Sequence, residues 1–113
     1  MKKLLIVLCL GLFLCGCKKS EPKISELEKL MMENDYVIVD VRTKDEYDEG
    51  HLVGAINIPY DEIDENVELD KEKLILVYCK SGNRSAVAYN MLINLGFNVY
   101  DMGAYIEIDL PKE

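Results

Sequence analysis

The chain has 113 residues, half of them hydrophobic, with 8% aromatic and 30% charged residues. That length suits one domain, and the composition excludes general disorder. Thirteen basic against 21 acidic residues give a formal charge of −8, so no basic surface is available to displace nucleic-acid counterions, and no nucleic-acid partner is expected.

Lys2 and Lys3 open the chain, and Leu4 to Cys15 then run almost wholly apolar. The run is too short to span a bilayer, which takes about 20 residues. It fits the apolar middle of a secretion signal. Leu14-Cys15-Gly16-Cys17 follows, then Lys18. Leu three residues before Cys17, with small Gly16 just before it, resembles the lipobox of bacterial lipoproteins. The resemblance implies that Cys17 carries lipid and becomes the mature N-terminus. Cys15 fits less well, because bulky Leu14 would sit at the cleavage point. The competing reading is a short membrane anchor or a buried core helix. The expected organisation is a signal peptide over 1–16, a lipidated tether over 17–23 and a domain over 24–113. The protein is expected on a membrane, anchored through Cys17, outside the cytoplasm. With Lys18 and not Asp after the cysteine, the lipoprotein resemblance implies the outer membrane in a two-membrane cell. Cleavage removes Cys9 and Cys15 and acylation consumes Cys17. Cys79 is then the one free thiol, with no intramolecular disulfide and no Cys/His metal cluster.

Ser25-Glu26-Leu27-Glu28 has the capping-box pattern that opens a helix, and Leu27, Leu30 and Met31 share one face of it. Tyr36 to Val41 is a β-branched run suited to a strand buried on both faces. Thr43 to Glu46 is a second capping box, opening a short helix that Gly50 stops. A short strand is predicted over Ala55–Ile58, ended by Pro59, and a short acidic helix over Asp61–Asn66. Leu74 to Tyr78 is the second buried strand. Arg84 to Leu95 reads as a helix with Val87, Ala88, Met91, Leu92 and Leu95 as its apolar set, stopped by Gly96. Asn98 to Met102 is the third long strand. Alternating strands and helices predict an α/β fold, a small parallel sheet flanked by helices on both faces. The carboxyl ends of its strands form the edge where ligands bind.

Cys79-Lys80-Ser81-Gly82-Asn83-Arg84-Ser85 lies on that edge. Cys79 ends a buried strand and a helix begins about five residues later, so backbone N–H groups of the loop can point inward as an anion cradle. Such a cradle favours the thiolate. Gly82 permits a positive φ, Arg84 offers a planar charged fork, and Ser85 offers a hydroxyl. Together they make a nucleophile beside an oxyanion pocket. The bland reading is a buried structural cysteine followed by a capped helix.

Three blocks carry a resemblance to single-domain members of the rhodanese (sulfurtransferase) family: VIVDVRTKDEYDEGHLVGAINIP over 37–59, CKSGNRS over 79–85, and NLGFNVYDMGA over 94–104. The resemblance implies the family's fold and a cysteine that takes a sulfane sulfur from a donor such as thiosulfate, becomes a persulfide and passes the sulfur to a thiol or other thiophilic acceptor, without a cofactor. Carried over by position, Cys79 is the nucleophile and Lys80, Ser81, Gly82, Asn83, Arg84 and Ser85 line the donor. Asp40, Arg42 and His51 match further signature residues, with a mainly structural role expected. The chain lacks Trp, and Gly103-Ala104-Tyr105-Ile106 departs from the family's closing pattern. Closure near the site is therefore expected to be looser, or completed by a partner.

Loop length separates two chemistries. Related cysteine phosphatases place five residues between Cys and Arg; Cys79 and Arg84 are separated by four. The smaller ring suits a persulfide or thiosulfate better than a phosphate ester. The alternatives to an enzyme are a module that delivers sulfur to a partner protein without useful turnover, a thiol redox protein, which lacks a resolving cysteine, and an inactive scaffold, against which Cys79 and Arg84 argue. The seven carboxylates between Asp61 and Glu72 read as a solvated face, or as a surface that repels anions or docks a basic partner.

Overall fold

The computed structural model describes residues 25–113; the expected signal peptide, Cys17 and the tether lie outside the described residues. In chain order the elements are α1 (Glu26–Glu33), β1 (Tyr36–Asp40), α2 (Lys44–Glu49), β2 (Ile56–Asn57), a 3-10 turn (Tyr60–Glu62), β3 (Leu74–Cys79), α3 (Asn83–Asn94), β4 (Asn98–Ala104) and a second 3-10 turn (Tyr105–Glu107). The four strands form one sheet in the order β2-β1-β3-β4, and every pairing is parallel. Among the described residues no helix is long and apolar enough to cross a membrane.

Both capping boxes form as the sequence predicts. Ser25 and Glu28 exchange bonds at the start of α1, and Thr43 and Glu46 do so at the start of α2, which satisfies N–H groups that a helix end otherwise leaves unpaired. The period of two along the strands builds two cores. Val39, Val41, Ile75, Val77 and Cys79 face Ala88 and Leu92 of α3, with Ile63 and Phe97 closing that layer. Ile38, Leu76 and Tyr78 face the opposite way, against Leu52, Ala55 and Ile108, with Leu27 and Met31 of α1 packed on them. Each fully buried aliphatic side chain contributes about 1.5–3 kcal/mol, so β3 and the middle of β1, apolar on both faces, anchor the fold.

Three local expectations change. The acidic helix over Asp61–Asn66 is replaced by the 3-10 turn Tyr60–Glu62. Ile63 leaves it in an extended conformation and buries its side chain in the α3-side core. The Asp64 carboxylate then accepts from the Asn66 N–H at 2.9 Å, a local bond that competes with helix. Val87 belongs to the predicted apolar set of α3 but is 45% exposed, whereas Ala88 and Leu92 are buried. β4 runs two residues further than predicted, to Ala104, and is bulged opposite Val77/Tyr78. Asp101 Oδ1 takes the Gly103 N–H at 2.9 Å at that bulge.

The segment after β4 closes the second face. Tyr105 stacks on Tyr78 with ring centroids 5.7 Å apart, and Ile108 is buried. Backbone bonds tie Glu113 to His51 in both directions, at 2.8 and 3.0 Å, and Val53 to Pro111 at 2.9 Å. Closure is achieved here by pairing and stacking, without a tryptophan.

Candidate active site

Cys79 is the last residue of β3, fully buried at the carboxyl edge of the sheet. The turn into α3 is tight enough that Gly82 takes φ +100°, a conformation costly for any residue with a Cβ. That geometry folds the loop back over the sulfur. The Gly82 N–H donates to Cys79 Sγ at 3.0 Å. Cys79 Sγ lies 3.5 Å from Ser85 Oγ, and the Ser85 hydroxyl donates to the Gly82 carbonyl at 3.1 Å. Burial alone would push the thiol up. The Ser85 hydroxyl and the backbone N–H groups of Ser85, Gly82 and Ser81 outweigh it and hold the Cys79 pKa below that of a free thiol. A negative sulfur is thus held by backbone donors already in place, and by the Ser85 hydroxyl once its one proton turns from the Gly82 carbonyl to the sulfur.

Arg84, in the first turn of α3, faces Glu46. Its Nη1 and Nη2 donate to Glu46 Oε1 and Oε2 at 2.8 and 3.1 Å, a two-pronged match. The Arg84 bonds, with help from Thr43, hold the Glu46 carboxyl down at about 2 despite an opposing desolvation cost. The fork predicted to face an anion is filled by a side chain of the protein itself.

Asp40 and Arg42 form a second closed pair, inside the second core. Arg42 Nε donates to Asp40 Oδ1 and Oδ2 at 2.9 and 3.0 Å, and Nη2 to Oδ2 at 2.6 Å. Nη2 also donates to the Gly50 carbonyl at 2.6 Å, and the guanidinium lies 4.4 Å over the Tyr105 ring. Burial works against the Arg42 charge, but Asp40 and Tyr78 more than restore it. The Tyr78 hydroxyl donates to Asp40 Oδ2 at 2.8 Å and accepts from the Leu52 N–H at 3.1 Å. Burial, and then Asp40, raise its pKa well above the usual range, so it stays a donor. Asn57 Nδ2 ties the carbonyls of Asp40 and Arg42 at 3.0 and 3.1 Å. His51 stacks on Tyr47 at 3.8 Å, with Nδ1 2.8 Å from the Tyr47 carbonyl. Its Nε2 lies 3.4 Å from a Glu113 carboxylate oxygen.

A cleft of about 660 Å³ opens over this edge, lined among others by Arg42, Glu46, Lys80, Ser81, Tyr105 and Lys112. Of the predicted residues, the structure gathers Cys79 with its loop through Ser85, and brings Arg42 to the cleft wall. Asp40 lies beneath it, and His51 belongs to the clamp between α2 and the last residues. Glu46, Tyr78 and Tyr105 are not among the predicted site residues. Glu46 carries a readable signal, the Thr43 capping box, but that pattern accounts for its carboxylate without Arg84. Among the described residues no group of His, Cys, Asp and Glu is arranged to hold a metal.

The profile of the rhodanese-like domain family matches residues 23–104. The chain belongs to this family. This rhodanese domain is 36% identical over 78 residues to the thiosulfate sulfurtransferase PspE of Escherichia coli K12, covering 66% of this chain and 75% of that protein. It is 39% identical over 84 residues to the thiosulfate sulfurtransferase GlpE of Coxiella burnetii, covering 71% of this chain and 78% of that one. A solved E. coli rhodanese with anions superposes with a TM-score of 0.63 at 32% identity, over 69% of this chain and 96% of that chain. The chain also matches a probable molybdopterin-synthase adenylyltransferase of Porphyra purpurea at 36% identity, spanning only 22% of that protein's length.

Proposed function

We propose that this rhodanese domain is a sulfurtransferase that moves a sulfane sulfur from thiosulfate or a related donor to a thiophilic acceptor, through a persulfide on Cys79. The observation that carries the reading is the Cys79 sulfur held 3.0 Å from the Gly82 N–H, with its pKa drawn below that of a free thiol by the loop donors. Such a sulfur is a nucleophile near neutral pH. The Cys79 thiolate attacks the outer sulfur of thiosulfate. The sulfur–sulfur bond of the donor breaks, its electron pair leaves with sulfite, and Cys79 carries a persulfide anion. An acceptor thiolate, or cyanide in an assay, then attacks the terminal sulfur and restores the Cys79 thiolate. Charge is conserved in both half-reactions, and no redox partner is needed. The loop N–H groups that favour the thiolate also favour the persulfide anion.

The same reading puts the enzyme on a membrane through lipid on Cys17, supported by the short apolar run after Lys2 and Lys3 and by Gly16 before the cysteine.

Mass measurement of the Cys79 peptide from the full chain, before and after thiosulfate, tests the proposal beside Cys79→Ser. The wild type is expected to gain one sulfur, which added cyanide or thiol removes, and Cys79→Ser to gain none. A folded, reduced wild type that stays unchanged would overturn thiosulfate as donor and leave a sulfur-delivery module loaded by other means.

A further inference from the structure

Two arginines stand at the site and each has its two-nitrogen fork engaged, although Arg42 Nη1 has no hydrogen-bond partner among the described residues. Arg42 spends Nε and Nη2 on Asp40 and the Gly50 carbonyl, and its face stacks on Tyr105. Arg84 spends both Nη groups on Glu46. Glu46 is itself fixed, because its Oε1 also accepts from the Thr43 N–H and hydroxyl at 3.0 and 3.1 Å. The carboxylate thus pins α2, which follows β1, to α3, which carries the cysteine loop. Lys80 and Lys112 also line the cleft. Among the described residues Lys80 pairs with no carboxylate. Lys112 donates to the Ile108 carbonyl at 2.8 Å and keeps two donors.

We propose that Glu46 is a positioning residue for sulfur transfer: it fills the Arg84 fork, withholding that cation from the donor, so that the donor's anionic group falls to the loop N–H groups and to Lys80 and Lys112. The inference rests on the sulfur-transfer reading and names its donor class. Lysine ammoniums are point charges on flexible stems. A site that recognises anions with them selects on charge and not on the planar two-point match an arginine fork imposes. The donors it accepts are sulfane-sulfur anions of varied shape, tetrahedral thiosulfate and thiosulfonates included.

Alkylation of Cys79 in the full chain tests this without any sulfur donor. Rates with anionic iodoacetate and neutral iodoacetamide are read on the Cys79 peptide, and their ratio reports the charge an incoming anion meets. Glu46→Gln keeps a residue that still serves a capping box while removing its charge. It is expected to raise the iodoacetate-to-iodoacetamide ratio about threefold, the factor that one unit charge about 6 Å away gives in water. Removing the pair together, in Glu46→Gln/Arg84→Met, is expected to return the ratio to the wild-type value. Lys80→Ala is expected to lower it about threefold. A structural role for Glu46 would move both rates together and leave the ratio unchanged, which overturns the proposal. A fall in the ratio in the paired variant, with no fall in Lys80→Ala, also overturns it by returning the anion to Arg84. If thiosulfate leaves no persulfide, the donor reading fails, while the alkylation ratios still decide how Glu46 sets the charge at the sulfur.

Discussion

Tyr78→Phe removes one oxygen atom from the interior, and its cost can be worked from the contacts. The hydroxyl is fully buried, donates to Asp40 Oδ2 at 2.8 Å and accepts from the Leu52 N–H at 3.1 Å. Phenylalanine fills the same ring volume, so no cavity penalty enters. The Leu52 N–H is left buried with no acceptor, which costs about 1–3 kcal/mol. The bond to the carboxylate is charge-assisted and worth about 1.5–3 kcal/mol. Asp40 keeps its bonds from Arg42, and easier burial of the less polar ring offsets part of the loss. The net expectation is a loss of about 3 kcal/mol, or roughly 15 °C in melting temperature for a domain of this size. Urea titration of the full-length protein measures it, with a lower midpoint at an unchanged m-value. A loss below about 1 kcal/mol would mean that the hydroxyl is not an obligatory member of the Asp40–Arg42 network.

Two further predictions concern Glu46 and Cys17. The Glu46 carboxyl has a folded pKa of about 2 against an ordinary 4.5, so its contribution to stability is fully present above about pH 4.5 and is lost as pH falls through about 2. A quarter of the side chain is exposed, and solvent screening limits the contribution to about 1 kcal/mol. The stability gap between wild type and Glu46→Gln should therefore shrink as pH falls from about 5 to about 2, and a gap constant over that range in urea titrations would refute the pairing. Cys17→Ser should release the protein from membranes on cell fractionation, whereas full retention would refute lipid anchoring at that residue.

The residues that made the fold legible are those whose pattern is local. Both capping boxes name their own partners within three residues, and the runs Val37–Val39 and Leu74–Cys79 state their double burial by being apolar on both sides of the pleat. The sulfur loop was legible for the same reason, since a strand end, a glycine and a helix start lie within a few residues. Asp61–Asn66 is not legible as a 3-10 turn, because helix-compatible acidic residues say nothing of the pull of the core on Ile63 or of the Asp64 turn. The β4 bulge depends on Asp101 capturing the Gly103 N–H, which alternation cannot show. Glu46 was read only as a cap because its second partner, Arg84, is 38 residues away.

That long-range pair follows from register. Asp40 stands opposite Tyr78 across the β1–β3 pairing, and the Val41 N–H continues the ladder to the Tyr78 carbonyl at 3.0 Å. Once this register is set, the residues just past β1 meet those just past β3. Arg42 then reaches back to Asp40, and Glu46, one helical turn into α2, reaches across to Arg84. A slip of one residue would turn Cys79 from the α3 face to the opposite one and part Glu46 from Arg84. Two buried or half-buried ion pairs are weak evidence for stability alone, since desolvation consumes much of their attraction. Their effect here is on position: each closes an arginine on a fixed carboxylate, and Glu46–Arg84, with the Tyr78 hydroxyl on Asp40, ties the strand ends that frame Cys79. On the proposal that Glu46 withholds Arg84, an anion approaching the sulfur is left to Lys80, Lys112 and the backbone N–H groups, because both arginine forks are engaged in holding the site together.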